Sequence, residues 1–497
     1  MRKYVLAMAS AAAIGVLIQS GCGGRGGVTK LPIVTTPGTI AVFGGDAPQC
    51  SNVISFAVTI SGLTLTPQSG SSPVSVLTGG QAITVDFASL MDFATMLSVS
   101  NVPPNTYDAV GITLSNPQLT YLDTSTTPPS LKTIAPTMSS LTINLNLNPA
   151  ITIASNGTVA LQLDFNLLNS VSIGSNNQFT VTPTFTANLA SASGSNGFAE
   201  FDDLSGLVQS VSTSSTNSSF VGSFTISSPN APTFTVYVTS STGFDGVSGL
   251  SGLTAGTFVE MDAFLDSKGN IVANTVVAED QEDQASGQAA FAGLITSVTP
   301  QTGNATHFTL LVQEENPDVS SRVGLFSTLT FNIAPSSTRF GLTAQAADFA
   351  NFSFGTANLA AGQRVVVHGT LPSGSGTAQT ATARSVFLGL QSVLGNLSTN
   401  PSTPVATNDG VDGGFTLVPC SPLFQPAQMT VLSAQQTAFL GISNLYSLTP
   451  YSLTNPDPHF LLVKGLLFNE QSITSFGVES WTVPANVQVA NQIHQLP

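Results

Sequence analysis

The chain has 497 residues, of which 7% are charged, with 26 acidic against 11 basic side chains and a net charge of −15. Ordinary domains carry about 25% charged residues, so the surface is expected to be built from Ser, Thr, Asn and Gln, and nucleic acid is excluded as a partner because phosphate binding needs clustered Lys and Arg. A hydrophobic content of 42% excludes a disordered chain, and the length allows three or four domains of about 100–150 residues.

Residues 1–21 read as a signal peptide: Arg2 and Lys3 precede an apolar run from Tyr4 to Ile18, shorter than the ~20 residues of a bilayer span. Ser20 and Gly21 lead into Cys22, and the block QSGC resembles the lipobox of bacterial lipoproteins, with Gln19 where that motif usually has Leu. The resemblance implies that Cys22 is acylated and begins the mature chain; the alternative is a secreted protein cut nearby with Cys22 unmodified. Each buried acyl methylene contributes about 0.8 kcal/mol to membrane association. Residues 22–38, rich in Gly, Thr and Pro, then form a flexible tether. No acidic residue follows Cys22 directly, so the implied location is the bacterial cell envelope, lipid-anchored in the outer membrane.

From 39 to 190 the segments ISFAVTISGLTL, QAITVDF, DAVGITLSNPQLTYL, LTINLNL, TVALQLDF and QFTVTPTFTANL alternate apolar with polar residues, the signature of half-buried strands. Phe87, Leu90, Met91, Ala94 and Leu97 recur at three- and four-residue spacing and predict one short helical stretch. Many short strands predict a β-sandwich-like domain. The segment also resembles domain of unknown function 4382, through VTISGLTLTP, VDFASL, VPPNTYDAVGITL, LQLDFNLLNSV and FTVTPTF, with Asn105 in place of a usual glycine. That resemblance implies a β-rich exported module with no established activity.

Beyond residue 204 the chain repeats. GLVQSV at 206 is echoed by GLITSV at 293 and GNLSTN at 395, and each unit carries a Thr-x-Phe: Thr242 to Phe244, Thr338 to Phe340, Thr437 to Phe439. The units, 204–280, 291–388 and a divergent 389–497, resemble domain of unknown function 5666 and read as two or three small OB-like barrels of about five strands. Closure would remove edges that few charges protect. SASGSNGFAEFDD, AEDQEDQASGQ and a boundary near Gly389 are expected to be hinges, and Phe244, Phe340 and Phe439 to plug the barrel cores. The whole chain is thus expected to be all-β.

Motifs for catalysis are scarce: there is no Gly-x-Ser-x-Gly, no His-Glu-x-x-His and no phosphate loop. His307, His368, His459 and His494 are scattered, His368 reading as a polar rim residue, and Trp481 is the only tryptophan, which argues against a dedicated carbohydrate module. The acidic clusters Glu279, Asp280, Glu282 and Asp283, and Glu200, Asp202 and Asp203, read as solvated linkers. Asp409 and Asp412 in NDGVDGG are candidate calcium ligands, since calcium takes carboxylate and carbonyl oxygens from glycine-rich loops, with a tight turn as the alternative. Cys50 and Cys420 either pair in a disulfide or stay as two separate thiols.

The expectation is a non-enzymatic envelope lipoprotein of structural, adhesive or ligand-binding role, with no catalytic cofactor, calcium as its one possible ion, and an envelope protein or glycan as partner. The alternative is an enzyme or enzyme-associated subunit acting on exported polymers through acidic residues that meet at a module interface. Two facing carboxyl groups in a cleft would favour the second.

Overall fold

The computed structural model describes residues 36–46, 52–91, 93–126, 129–173, 178–190, 199–215, 217–228, 231–278, 288–301, 303–315, 323–343, 353–373, 379–398, 411–424, 428–448, 460–469 and 486–496. Over these residues the protein is all-β, with helical residues only in turns of three or four. None of these helices is long and apolar enough to cross a membrane. The signal segment and Cys22 lie outside the described residues.

The segment from Gly38 to Leu189 forms a sandwich. One sheet runs Phe185–Leu189, Thr158–Phe165, Gly38–Asp46, Thr95–Val102, its middle pair parallel. The other is built on the long antiparallel strands Val53–Pro67 and Asn105–Asp123. In the first of these Phe56, Val58 and Ile60 face the core, and a register shift between Ile60 and Gly62 turns Leu63 and Leu65 onto the same face. Phe56 stacks on Phe165 of the opposite sheet at 5.2 Å, and Phe165 meets Phe87 and Phe185. On the outer faces Thr59 pairs with Thr84 and Thr106 with Thr152. Cross-strand hydroxyl pairs thus occupy sites where charges usually stand.

One expectation changes here. The predicted helical stretch is a single 3-10 turn, Phe87–Leu90, and Leu97 belongs to a strand. Buried Asp86 accepts the Phe56 N–H at 2.7 Å, which holds the turn against the sheet. Asn105 replaces the family's glycine without strain, because it is not among the residues with positive φ; its Oδ1 accepts the Thr106 N–H at 2.8 Å. Two residues on, fully buried Tyr107 donates its hydroxyl to the Pro103 carbonyl at 2.7 Å, a brace like the tyrosine corner of sandwich folds.

Three barrels follow. Barrel 1 uses Ala199–Ser212, Gly222–Ser228, Ala231–Val238, Phe258–Leu265 and Ile271–Ala278. Barrel 2 uses Gln288–Thr299, His307–Glu315, Thr328–Ile333, Arg364–Thr370 and Thr380–Leu388, and barrel 3 uses Gln391–Leu397, Val411–Pro419, Met429–Leu440, Phe460–Phe468 and Val487–Gln495. In all three, strand one pairs with strands two and four, strand four with five, and strands three and five close the barrel in parallel. This is the OB-fold order. The repeated glycine has a steric cause: a Cβ on Gly206, Gly293 or Gly395 would overlap the carbonyl of Ser227, Leu311 or Val418 on strand two. Strand one bends over strand two at that point, and only glycine allows it.

The Thr-x-Phe positions are structurally equivalent. Thr242, Thr338 and Thr437 each donate to a strand-five carbonyl, and Phe244, Phe340 and Phe439 lie on a short segment parallel to strand five. The phenylalanines do not plug the cores as expected; they are half-buried and pack on the barrel's flank. The interior of barrel 2 is filled by Phe291, Phe308 and Phe331, with centroids 5.5 Å apart in each contacting pair.

The modules share cores instead of standing apart. Ala41, Phe43, Met96 and Ala160 of the sandwich join the barrel 1 cluster, while sandwich, barrel 2 and part of barrel 3 form another. Asp86 of the sandwich accepts from Gln313 Nε2 of barrel 2 at 3.0 Å. Phe93 receives the Arg364 guanidinium at 5.3 Å and the Lys464 ammonium at 4.2 Å from its centroid, one cation from each of barrels 2 and 3. Fully buried Gln363 accepts the Ala360 N–H and donates to the carbonyls of Asn358 and, in barrel 3, Leu467. The expected hinge AEFDD is instead strand: Glu200 pairs with Phe264 and Phe201 with Ala263. Alternation was weak there because a register shift separates Phe201 from Leu204.

Candidate functional site

Strand four of barrel 1, FVEMDAFL, sends Val259, Met261, Ala263 and Leu265 into its own barrel. The pleat places Glu260 and Asp262 on the other face, which here is turned toward barrel 2. Between the two barrels lies a cavity of about 200 Å³. Phe258 and Val277 wall it from barrel 1, and Leu342, Val366 and Phe387 from barrel 2. Four polar side chains converge on it: Asp245, Glu260, Thr343 and His368.

The two walls are equivalent faces of the two repeats. Gly206 pairs with Val259 and Gly293 with Val365, so Glu260 corresponds to Val366 and Asp262 to His368; Glu260 pairs with Val277 as Val366 pairs with Phe387. The barrel 1 wall is therefore acidic and the barrel 2 wall apolar with one imidazole.

Glu314, on strand two of barrel 2, completes the electrostatics. Its Oε2 accepts the Ser205 hydroxyl of barrel 1, and Arg364 Nη2 lies 3.9 Å from its Oε1. Burial pushes the Glu260 carboxyl up to about 8, helped by the negative charges of Glu314 and Asp262. Burial also raises Glu314, opposed by the Ser205 hydroxyl. Near neutral pH Glu260 is therefore largely protonated, and so able to donate as well as accept. Thr343 is 6% exposed and its Oγ1 has no hydrogen-bond partner.

The residues singled out in the sequence fare variously. His368 is 8% exposed and lines the cavity, so it is no rim residue. His307 and His494 lie on separate barrels, and His459 and Trp481 are outside the described residues. Asp409 is outside them too; Asp412 falls in strand two of barrel 3, at a register shift between Val411 and Gly413. Among the described residues no three His, Cys, Asp or Glu are grouped to hold a metal. Glu279, Asp280, Glu282 and Asp283 lie outside the description, as does Cys50, while Cys420 is disulfide-bonded. Sequence reading missed Glu260 and Glu314. The available signal was the pair of carboxylates alternating with core residues in FVEMDAFL, which reads equally as a solvated strand face.

Fold and site together define an all-β protein in which OB-like barrels follow a sandwich and flank a small, partly open cavity between two of them. The family model described as Domain of unknown function (DUF4382) matches residues 37–183, on the sandwich, and Domain of unknown function (DUF5666) matches residues 205–276, on barrel 1. No curated protein matches the chain. Among solved structures the chain is similar to Drosophila Unr CSD456, at 11% identity over 59% of this chain and 97% of that one, TM-score 0.13. It is also similar to a deletion mutant of the single-stranded DNA binding protein from Thermus aquaticus, at 16% identity over 42% and 94%, TM-score 0.15. Likenesses at such TM-scores carry no argument about function.

Proposed function

We propose that this chain is a lipid-anchored protein of the bacterial cell envelope that binds a small ligand and performs no catalysis. The observation that supports this reading is the cavity between barrels 1 and 2. Apolar walls with a few convergent polar groups are the usual make-up of a ligand site. The anchor rests on QSGC: a clickable fatty acid should label the wild type and not Cys22→Ser. The ligand is tested by native mass spectrometry of protein released from the envelope. Wild type should carry a small molecule that Val277→Trp, which extends a side chain of the cavity wall into the space, does not; protein empty in both forms would overturn the reading. The reading needs no catalytic cofactor, and calcium at Asp409 and Asp412 is the one ion it accommodates.

A second reading is an enzyme or enzyme subunit acting on exported polymers. It is favoured by Glu260 and Glu314, two carboxylates that interact across a module interface. Turnover of an envelope polymer, lost in Glu260→Gln, would establish it.

A further inference from the structure

We propose that the cavity between barrels 1 and 2 takes a small organic cation, a primary ammonium carried on an apolar body about the size of a benzene ring. The proposal rests on the ligand-binding reading above and names its chemistry.

Size comes first. Cavities of about 150 Å³ hold benzene, so about 200 Å³ leaves room for a ring and a short amine arm. Phe258, Val277, Leu342, Val366 and Phe387 would surround the ring. Charge comes second. Asp245 on the flanking strand, Glu260 and Asp262 on strand four of barrel 1, and Glu314 on strand two of barrel 2 face the seam, against Arg364 and His368 on strand four of barrel 2. Arg364 is spent on Glu314 and on the face of Phe93. Glu260 makes no hydrogen bond to any described residue, and its electrostatic neighbours are like charges. An ammonium is the group that relieves this crowding. Polarity comes third: the polar groups of the barrel 1 wall are the carboxyls of Asp245 and Glu260, which offer acceptors, and an ammonium brings donors only. A bare metal ion fits worse, because no three ligating side chains are grouped among the described residues and half the wall is apolar.

A cation beside Glu260 favours its ionised form. Binding near pH 7 should therefore release a proton, since the carboxyl is held at about 8 in the empty protein.

The test is titration calorimetry of the full mature chain with benzylamine and with benzyl alcohol, near pH 7, in two buffers of different ionisation enthalpy. Benzylamine should bind at least about tenfold more tightly than the alcohol, with release of close to one proton. Glu260→Gln should lose that preference and the proton release, and Val277→Trp, which fills the space from the cavity wall, should abolish binding. Equal affinity for both probes, or benzylamine binding unchanged in Glu260→Gln or Val277→Trp, would overturn the cation and leave a neutral ligand open. No binding of either probe at about 10 mM, a concentration that reveals even sites with a Kd above about 1 mM, would overturn the ligand-binding reading with it.

Discussion

The hydroxyl of Thr338 donates to the carbonyl of Ala383 at 2.8 Å while accepting the Ala334 N–H at 3.0 Å. The same tie to strand five recurs from Thr242 to Ala273 and from Thr437 to Ala490. A single side chain thus fastens the flanking segment of each barrel, and in barrels 1 and 2 also closes a turn, which is why threonine recurs two residues before the phenylalanine. Thr338→Val keeps the shape and orphans both backbone groups, and should cost about 1–3 kcal/mol. Thr338→Ser should recover most of it, read from denaturation midpoints of the full chain.

Gly293 tests the bend of strand one. A methyl group there would overlap the Leu311 carbonyl, so backbone must move. Gly293→Ala should destabilise by about 1–3 kcal/mol or more, whereas Gly324→Ala, with open space around it, should leave the melting temperature nearly unchanged. Equal effects at the two sites would remove the steric explanation for the repeated glycine.

Glu260 gives the stability of the protein a pH signature. Its folded value of about 8 stands above the ordinary carboxylate value of 4.5, so the folded state holds a proton that the unfolded state has lost. The stabilisation is complete below the unfolded value and is lost as pH rises through about 8. Glu314 shifts in the same direction. At about 1.4 kcal/mol per pKa unit, the coupled pair should cost the folded state a few kcal/mol at pH 9 relative to pH 5. Glu260→Gln should flatten that slope in urea denaturation, and an unaltered slope would place the effect elsewhere.

Cys420 is disulfide-bonded, and its surroundings indicate the partner. Leu423 packs in one cluster with Ile54 and Leu122 of the sandwich, and the Asn52 carbonyl accepts the Leu122 N–H at 2.9 Å. The strand that begins at Val53 therefore starts beside the loop after Cys420. Non-reducing peptide mapping should recover Cys50 linked to Cys420, and removing the bond should cost about 2–5 kcal/mol. A peptide linking Cys420 to Cys22 would refute both this pairing and acylation of Cys22.

Much of the architecture is legible in the sequence because strand alternation and steric needs are local. Period two marks the sandwich strands, and the glycine and threonine of each repeat answer to contacts within one barrel. The candidate site is not legible for the opposite reason. Glu260 and Glu314 belong to different repeats, and each sits on an outer strand face where a carboxylate ordinarily meets water. Only the docking of barrel 1 on barrel 2 converts those positions into a seam. The position of His368 beside Gly369 concealed its burial in the same way.

The cluster that seats Ile40 of the first described strand also seats Val487 and Val489 of the last, the nine-residue Val487–Gln495. Contacts of such sequence separation are slow to form. A chain made N-terminus first leaves barrel 3 open until its final strand emerges, and the unpaired edges of Met429–Leu440 and Phe460–Phe468 in that interval attract other chains. Losing the whole of Val487–Gln495 would accordingly open barrel 3 and strip two side chains from the cluster that the sandwich shares.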